Sequence, residues 1–126
     1  MKSITTEQII VFHKKIISNT GGSEGIRDIL IIDSALNRAF ATFDGNDLYE
    51  SDLEKISVII YGLISNHGFV DGNKRIGVAT MLLFLKLNDI NIKYTQKELV
   101  DLGLAVAQGK YRESDIEEWI KRHQII

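Results

Sequence analysis

Within 67-HGFVDGNKR-75 the chain places an imidazole, a carboxylate, an amide, an ammonium and a guanidinium in nine residues. Together these are the parts for phosphoryl or nucleotidyl transfer. The imidazole of His67 can take a proton from a hydroxyl near neutral pH. Asp71 is an acceptor-only group beside two cations, suited to holding Mg²⁺ that also binds phosphate oxygens. Backbone N–H groups from Gly72 to Arg75, free at the start of a helix, form an anion site with the helix dipole, and Gly72 lets a phosphate come close. Lys74 and Arg75 add cationic side chains where phosphate charge would sit.

Each residue also has a plainer reading. His67 would cap a helix end, Asp71–Asn73 would be turn residues, and Lys74 and Arg75 a solvated face. The coincidence of all of them in one short segment favours chemistry. Common phosphate and metal loops do not account for it. A P-loop needs Ser or Thr after Gly-Lys, whereas here Asn73 intervenes and Arg75 follows. An EF-hand reading fails at Arg75 when started from Asp71, and at Leu48 when started from Asp44.

The elements that must hold this segment are apolar. 57-SVIIYGLIS-65 precedes it and 78-VATMLLFLKL-87 follows. Apolar spacing and end signals predict helices over about 5–18, 29–40, 51–66, 73–88, 95–108 and 114–123. Four capping boxes mark starts: Thr5 with Gln8, Ser51 with Glu54, Thr95 with Glu98, and Ser114 with Glu117. No proline interrupts the runs, and the breakers are 19-NTGGSEG-25, 44-DGND-47 and 107-AQGKY-111. Ile90–Tyr94 could be extended, but strand signals are too few to build a sheet. The fold class is all-α. The helices at 51–66 and 73–88 are apolar nearly all round, which places them at the centre of a bundle.

Composition sets limits on partners. A chain of 126 residues reads as one domain, 1–126. Its net charge of -2 gives no general attraction to nucleic acid or anionic lipid. With no cysteine there is no disulfide framework and no thiolate zinc site. MKSITTEQII lacks a signal-peptide pattern and no run is long enough to span a membrane. The expectation is a soluble cytoplasmic protein with neither a direct nucleic-acid partner nor a membrane partner.

HGFVDGNKR resembles the signature of Fic-fold proteins, roughly His-Pro-Phe-x-(Asp/Glu)-Gly-Asn-(Gly/Lys)-Arg, and its Gly-Asn-Lys-Arg form looks like the death-on-curing (Doc) toxins of Phd–Doc modules. GGSEGIRD, DSALNRAFATFDG, DLY, LLFLKLN, ELVDLGLAVAQGK and IEEWI look like segments of the same family in order. The resemblance implies a compact six-helix Fic bundle with the catalytic loop joining two central buried helices. It implies His67 as the group that activates a target hydroxyl and Asp71 as the Mg²⁺ ligand. Gly72, Asn73, Lys74 and Arg75 would contact the phosphates of ATP.

Two departures bear on the reaction. The usual proline after the histidine is Gly68, which is expected to loosen the loop. Adenylyl-transferring relatives commonly carry Gly at the position of Lys74 and a second arginine at that of Val78. Lacking both, the chain is similar to Doc toxins, which transfer the γ-phosphate. That implies phosphorylation of a Ser or Thr hydroxyl, with a threonine of elongation factor Tu as the family's known target. It also implies a Phd-like antitoxin acting in trans. An adenylyltransferase and a catalytically silent binding module on the same fold stay open.

Other features carry less. The segment 42-TFDGNDLYE-50 corresponds to the Fic flap that aligns a target, or is a plain interhelical loop. 20-TGGSEG-25 fits the spacing of the Fic autoinhibitory motif, but that motif works from a helix and Gly21–Gly22 would break one. Phe69 reads as a core plug under the loop, His13 as a packing residue and His123 as a helix-end cation.

Overall fold

The helices of the computed structural model, which describes residues 1–126, begin for the most part where a short side chain catches a free N–H. Before α1 (Thr6–Thr20), Thr5 Oγ1 accepts from Gln8 N at 3.1 Å and Thr5 N donates to Gln8 Oε1 at 2.8 Å. Thr95 and Glu98 form the same reciprocal pair before α5 (Gln96–Ala107). Asp28 caps α2 (Ile29–Asn37), which runs on into a 3₁₀ turn at Arg38–Phe40. Ahead of α3 (Asp52–Ser65), Ser51 accepts from Glu54 N, but the Glu54 carboxylate turns to the Ser51 hydroxyl rather than its N–H.

The fourth expected box does not form. In α6 (Glu113–His123) the Asp115 carboxylate accepts from Arg112 N at 2.8 Å, so the helix starts earlier and Ser114 lies inside its first turn. Starting at Asn73, α4 (Asn73–Leu87) has no side-chain cap at all.

α3 is the central element, as its all-round apolarity predicts. Every residue from Lys55 to Ile64 except Tyr61 is buried, and α2, α4 and α6 all pack on it. Gly77 brings α4 close, since a Cβ there would lie 2.3 Å from Ile64 Cγ1. α4 is only partly enclosed: Val78, Ala79 and Leu82 are half-buried and face a groove between α1 and α5. No helix is long and apolar enough to cross a membrane.

One small sheet does exist. β1 (Thr42–Phe43) and β2 (Asn46–Asp47) pair antiparallel around Asp44 (φ 53°) and Gly45 (φ 79°). Positive φ at both turn residues is the geometry that Asp-Gly favours in two-residue hairpins, so 44-DGND-47 makes a hairpin and not a mere break. Lys55, buried in α3, ties down its root: Nζ donates to Asp47 Oδ2 at 3.1 Å and to the Tyr49 carbonyl. Ile92 pairs with Gln124 as a single bridge, in keeping with an extended 90–94.

α5 and α6 are joined through His123. Its Nδ1 donates to Trp119 O at 2.7 Å, its ring stacks on Trp119, and Nε2 lies 2.6 Å from Glu98 Oε2. His123 is thus a helix cross-tie as well as a helix-end group. The His123 hydrogen bond, helped by the Thr95 N–H and hydroxyl, pulls the Glu98 carboxyl down to about 2. A carboxyl depressed by folding stabilises the fold above its unfolded value of 4.5, and that contribution is lost as pH falls towards about 2. Wild type is therefore expected to have a higher urea midpoint than Glu98→Gln at neutral pH, with the gap closing over that acid window.

Candidate functional site

His67, Asp71, Gly72, Asn73, Lys74 and Arg75 line one cleft of about 400 Å³, with Val70 and Ala107 beside them. Its floor is the first turn of α4. The N–H groups of Asn73, Lys74 and Arg75 have no partner within the chain, and Ile76 is the first to donate, to Gly72 O at 2.9 Å. Gly72 N–H is already given to Asp71 Oδ1 at 2.8 Å. The anion-binding N–H groups therefore begin at Asn73, one residue later than the sequence suggests. Gly72 itself is left-handed (φ 78°), and a Cβ there would lie 2.9 Å from Ile17 Cδ1. Only glycine suits that position.

The side chains divide their work. Asn73 Oδ1 accepts from Phe69 N at 3.1 Å and Nδ2 donates to Phe69 O at 3.0 Å, closing the loop like a clasp. That leaves Asn73 its backbone N–H, not its amide, to offer a phosphate. Lys74 is exposed and makes no ion pair or hydrogen bond. Arg75 donates to Thr20 Oγ1 at 2.7 Å and Gly21 O at 2.6 Å, with Nη2 3.6 Å from Asp71 Oδ2.

Asp71 Oδ2 accepts from Ser23 N at 3.1 Å. The Ser23 and Gly72 N–H donors, with the nearby Arg75 guanidinium, hold its carboxyl below the usual carboxylate range. Asp71 is thus an ionised, half-exposed carboxylate, and each oxygen keeps a lone pair beyond the N–H it accepts. No group of three or more His, Asp or Glu residues in the chain could hold a metal alone. Asp71 fits an ion shared between one carboxylate and phosphate oxygens, which is how Mg²⁺ is often held.

His67 faces the cleft from a strained backbone. Its φ is 52°, a left-handed conformation that costs a non-glycine residue about 1–3 kcal/mol. Nε2 of His13 and both ring nitrogens of His123 are hydrogen-bonded, but the ring nitrogens of His67 are free to meet a ligand.

Gly68 does not loosen this loop. Its carbonyl accepts from Arg27 N at 2.9 Å and Asp28 N at 3.0 Å, and Val70 N donates to Gly25 O at 3.1 Å. Ile26 bridges Phe69 in the same short antiparallel pairing. A Cβ at Gly68 would lie 2.6 Å from Ile32 Cγ1, so Ile32 fills the space of any larger residue. Beneath, Phe69 is buried and stacks on His13 at 3.8 Å, while His13 Nε2 donates to Asp71 O at 2.7 Å. His13 is the packing residue expected, and it also supports Asp71.

Residues 21–25 are not helical, and Glu24 lies beside Lys14 and outside the cleft. This agrees with reading TGGSEG as a chance match to the autoinhibitory spacing. Instead Ser23 reaches Asp71 through its backbone. Sequence spacing gives no hint of that contact, nor of Arg27 and His13, because all three lie far from the loop along the chain.

Comparison of the sequence with known proteins finds a family. Over 123 residues the chain is 28% identical to "Protein kinase doc" of Escherichia phage P1, covering 97% of this chain and 95% of that protein. It is 36% identical over 72 residues to "Toxin Doc" of Mycolicibacterium smegmatis, or 57% of this chain and 55% of that one. The model of the Fic/DOC family matches residues 3–85, which include the hairpin, the cleft loop and most of α4. That match covers more than half of the chain, and the chain belongs to the Fic/DOC family.

Proposed function

We propose that this protein is a toxin of a toxin–antitoxin module that transfers the γ-phosphate of ATP to a Ser or Thr hydroxyl of a protein target. The observation that carries the reading is the convergence in one cleft of an unbonded imidazole, an ionised carboxylate and three free N–H groups. The phosphates lie on the N–H groups of Asn73, Lys74 and Arg75, with the Lys74 and Arg75 side chains neutralising charge. Asp71 holds Mg²⁺, which withdraws charge from the phosphate oxygens when bound. His67 takes the proton of the target hydroxyl. The hydroxyl oxygen then bonds to the γ-phosphorus, the bond from that phosphorus to the β–γ bridging oxygen breaks, and ADP leaves.

Lys74 and Val78, standing where adenylyl-transferring relatives commonly have Gly and Arg, favour γ- over α-phosphate transfer. The phage P1 relative, named a protein kinase and matched nearly end to end, supports the same choice. By the same resemblance the target is elongation factor Tu. A Phd-like antitoxin acts in trans. The groove of about 390 Å³ lined by Ile16, Val78, Leu82, Leu99, Val100 and Leu104 suits an apolar helix face and ends at Lys74 and Arg75.

The test is ATP labelled at either the α or the γ position, incubated with the protein and elongation factor Tu. Retention of γ label on the target is expected. Retention of α label would overturn kinase activity in favour of adenylylation, and retention of neither would favour a binding module.

A further inference from the structure

Arg27 sits in the turn before α2, exposed and without an ion pair in the chain. Its guanidinium is spent on the backbone instead. Nε donates to His67 O at 2.5 Å and Nη2 to Asn66 O at 2.9 Å. Those carbonyls belong to the residue that ends α3 and to the left-handed residue after it. Carbonyls at a helix C-terminus carry partial negative charge and lack intrahelical partners, so a guanidinium there satisfies both needs. Being planar, it fixes two acceptors at once, which a point charge cannot do. One residue on, Gly68 O accepts the Arg27 backbone N–H. Arg27 therefore touches three consecutive carbonyls, at 66, 67 and 68, by side chain and main chain together.

We propose that Arg27 is the positioning residue of His67, holding its strained backbone so that the imidazole stays at the mouth of the phosphate cleft. This rests on His67 being the general base of the proposed transfer. No other side chain donates to the Asn66, His67 or Gly68 carbonyl. The nucleotide side of the loop is secured separately, by the Asn73 clasp, the Ser23–Asp71 bond and the His13–Asp71 bond. Loss of the Arg27 side chain thus frees the base while leaving the phosphate floor in place. A displacement of about 1 Å at a reacting group can cost on the order of a hundredfold in rate.

The full chain, Arg27→Ala and Arg27→Lys are compared in two measurements. The first is label transfer from ATP to elongation factor Tu, using whichever label position the wild type transfers. Arg27→Ala is expected to lower kcat by about 10- to 100-fold with KM for ATP changed by less than about twofold. Arg27→Lys, able to reach one carbonyl, recovers part of that loss. The second is amide hydrogen exchange at Asp28 and Val70, whose N–H groups bond to Gly68 O and Gly25 O, and it needs no substrate. Exchange there is expected to quicken in Arg27→Ala and to stay unchanged in α3 and α4. Equal losses in kcat and ATP binding, no loss of kcat, or unchanged loop exchange would each overturn the proposal. If wild type transfers neither label, the transfer reading fails, and exchange alone decides whether Arg27 holds the loop.

Discussion

His67→Ala is expected to fold, bind ATP and transfer no measurable phosphate, with growth arrest on bacterial expression abolished. A positioned general base contributes about 10²–10⁴-fold, and His67 is the only imidazole in the cleft. The imidazole makes no hydrogen bond within the fold, so its removal leaves the core and the clasp at Asn73 intact. ATP affinity should stay close to wild type, because the phosphate floor belongs to α4 and Asp71. Labelled transfer to elongation factor Tu measures the first effect, and a nucleotide titration the second. Arrest of growth by His67→Ala as strong as by wild type would show that toxicity comes from binding and not from turnover.

Asp71→Asn is expected to have the next largest effect, and through the nucleotide. The native carboxylate is ionised well below neutral pH, so it presents full negative charge to a cation throughout the physiological range. The amide keeps an acceptor but loses that charge, and it places a donor against either Ser23 N–H or Gly72 N–H. Metal-assisted charge stabilisation is worth several kcal/mol, so transfer should fall by at least about 10²-fold. Raising Mg²⁺ should restore little, and chelating Mg²⁺ should reduce wild type to a similar level. Wild-type rates in Asp71→Asn would remove Asp71 from the role of metal ligand. The lowered carboxyl also supports folding, a contribution present above the unfolded value of 3.8 and lost as pH drops further.

How much of this was legible follows from where the information lies along the chain. The reactive set was readable because nine contiguous residues carry it, and the apolar runs beside it marked its mounting. Thr5, Ser51 and Thr95 were readable as caps because a cap and its partner lie three residues apart. What escaped was long-range or ambiguous. Arg27 meets His67 across 40 positions and His13 meets Asp71 across 58, distances over which no local pattern operates. An arginine in a glycine-rich turn looks like a solvated charge until its acceptors are seen. Asp44–Gly45 serves equally as a breaker or a hairpin turn, and the partial exposure of α4 depends on how α1 and α5 flank it. Asn73 reads as a phosphate contact, while its amide closes the loop onto Phe69.

The pair Gly68 and Ile32 has an evolutionary consequence. The proline found here in the resembled motif needs the volume that Ile32 occupies, since any Cβ at 68 would lie 2.6 Å from Ile32 Cγ1. With isoleucine at 32, proline at 68 would overpack the loop, at about 1–3 kcal/mol. Shortening Ile32 to valine would not open the route, because valine keeps its γ carbons; removing them takes alanine, at about 2–5 kcal/mol. Mutational order is therefore constrained at these two sites. Glycine after the histidine is held in place by the side chain of Ile32, its own φ not being left-handed.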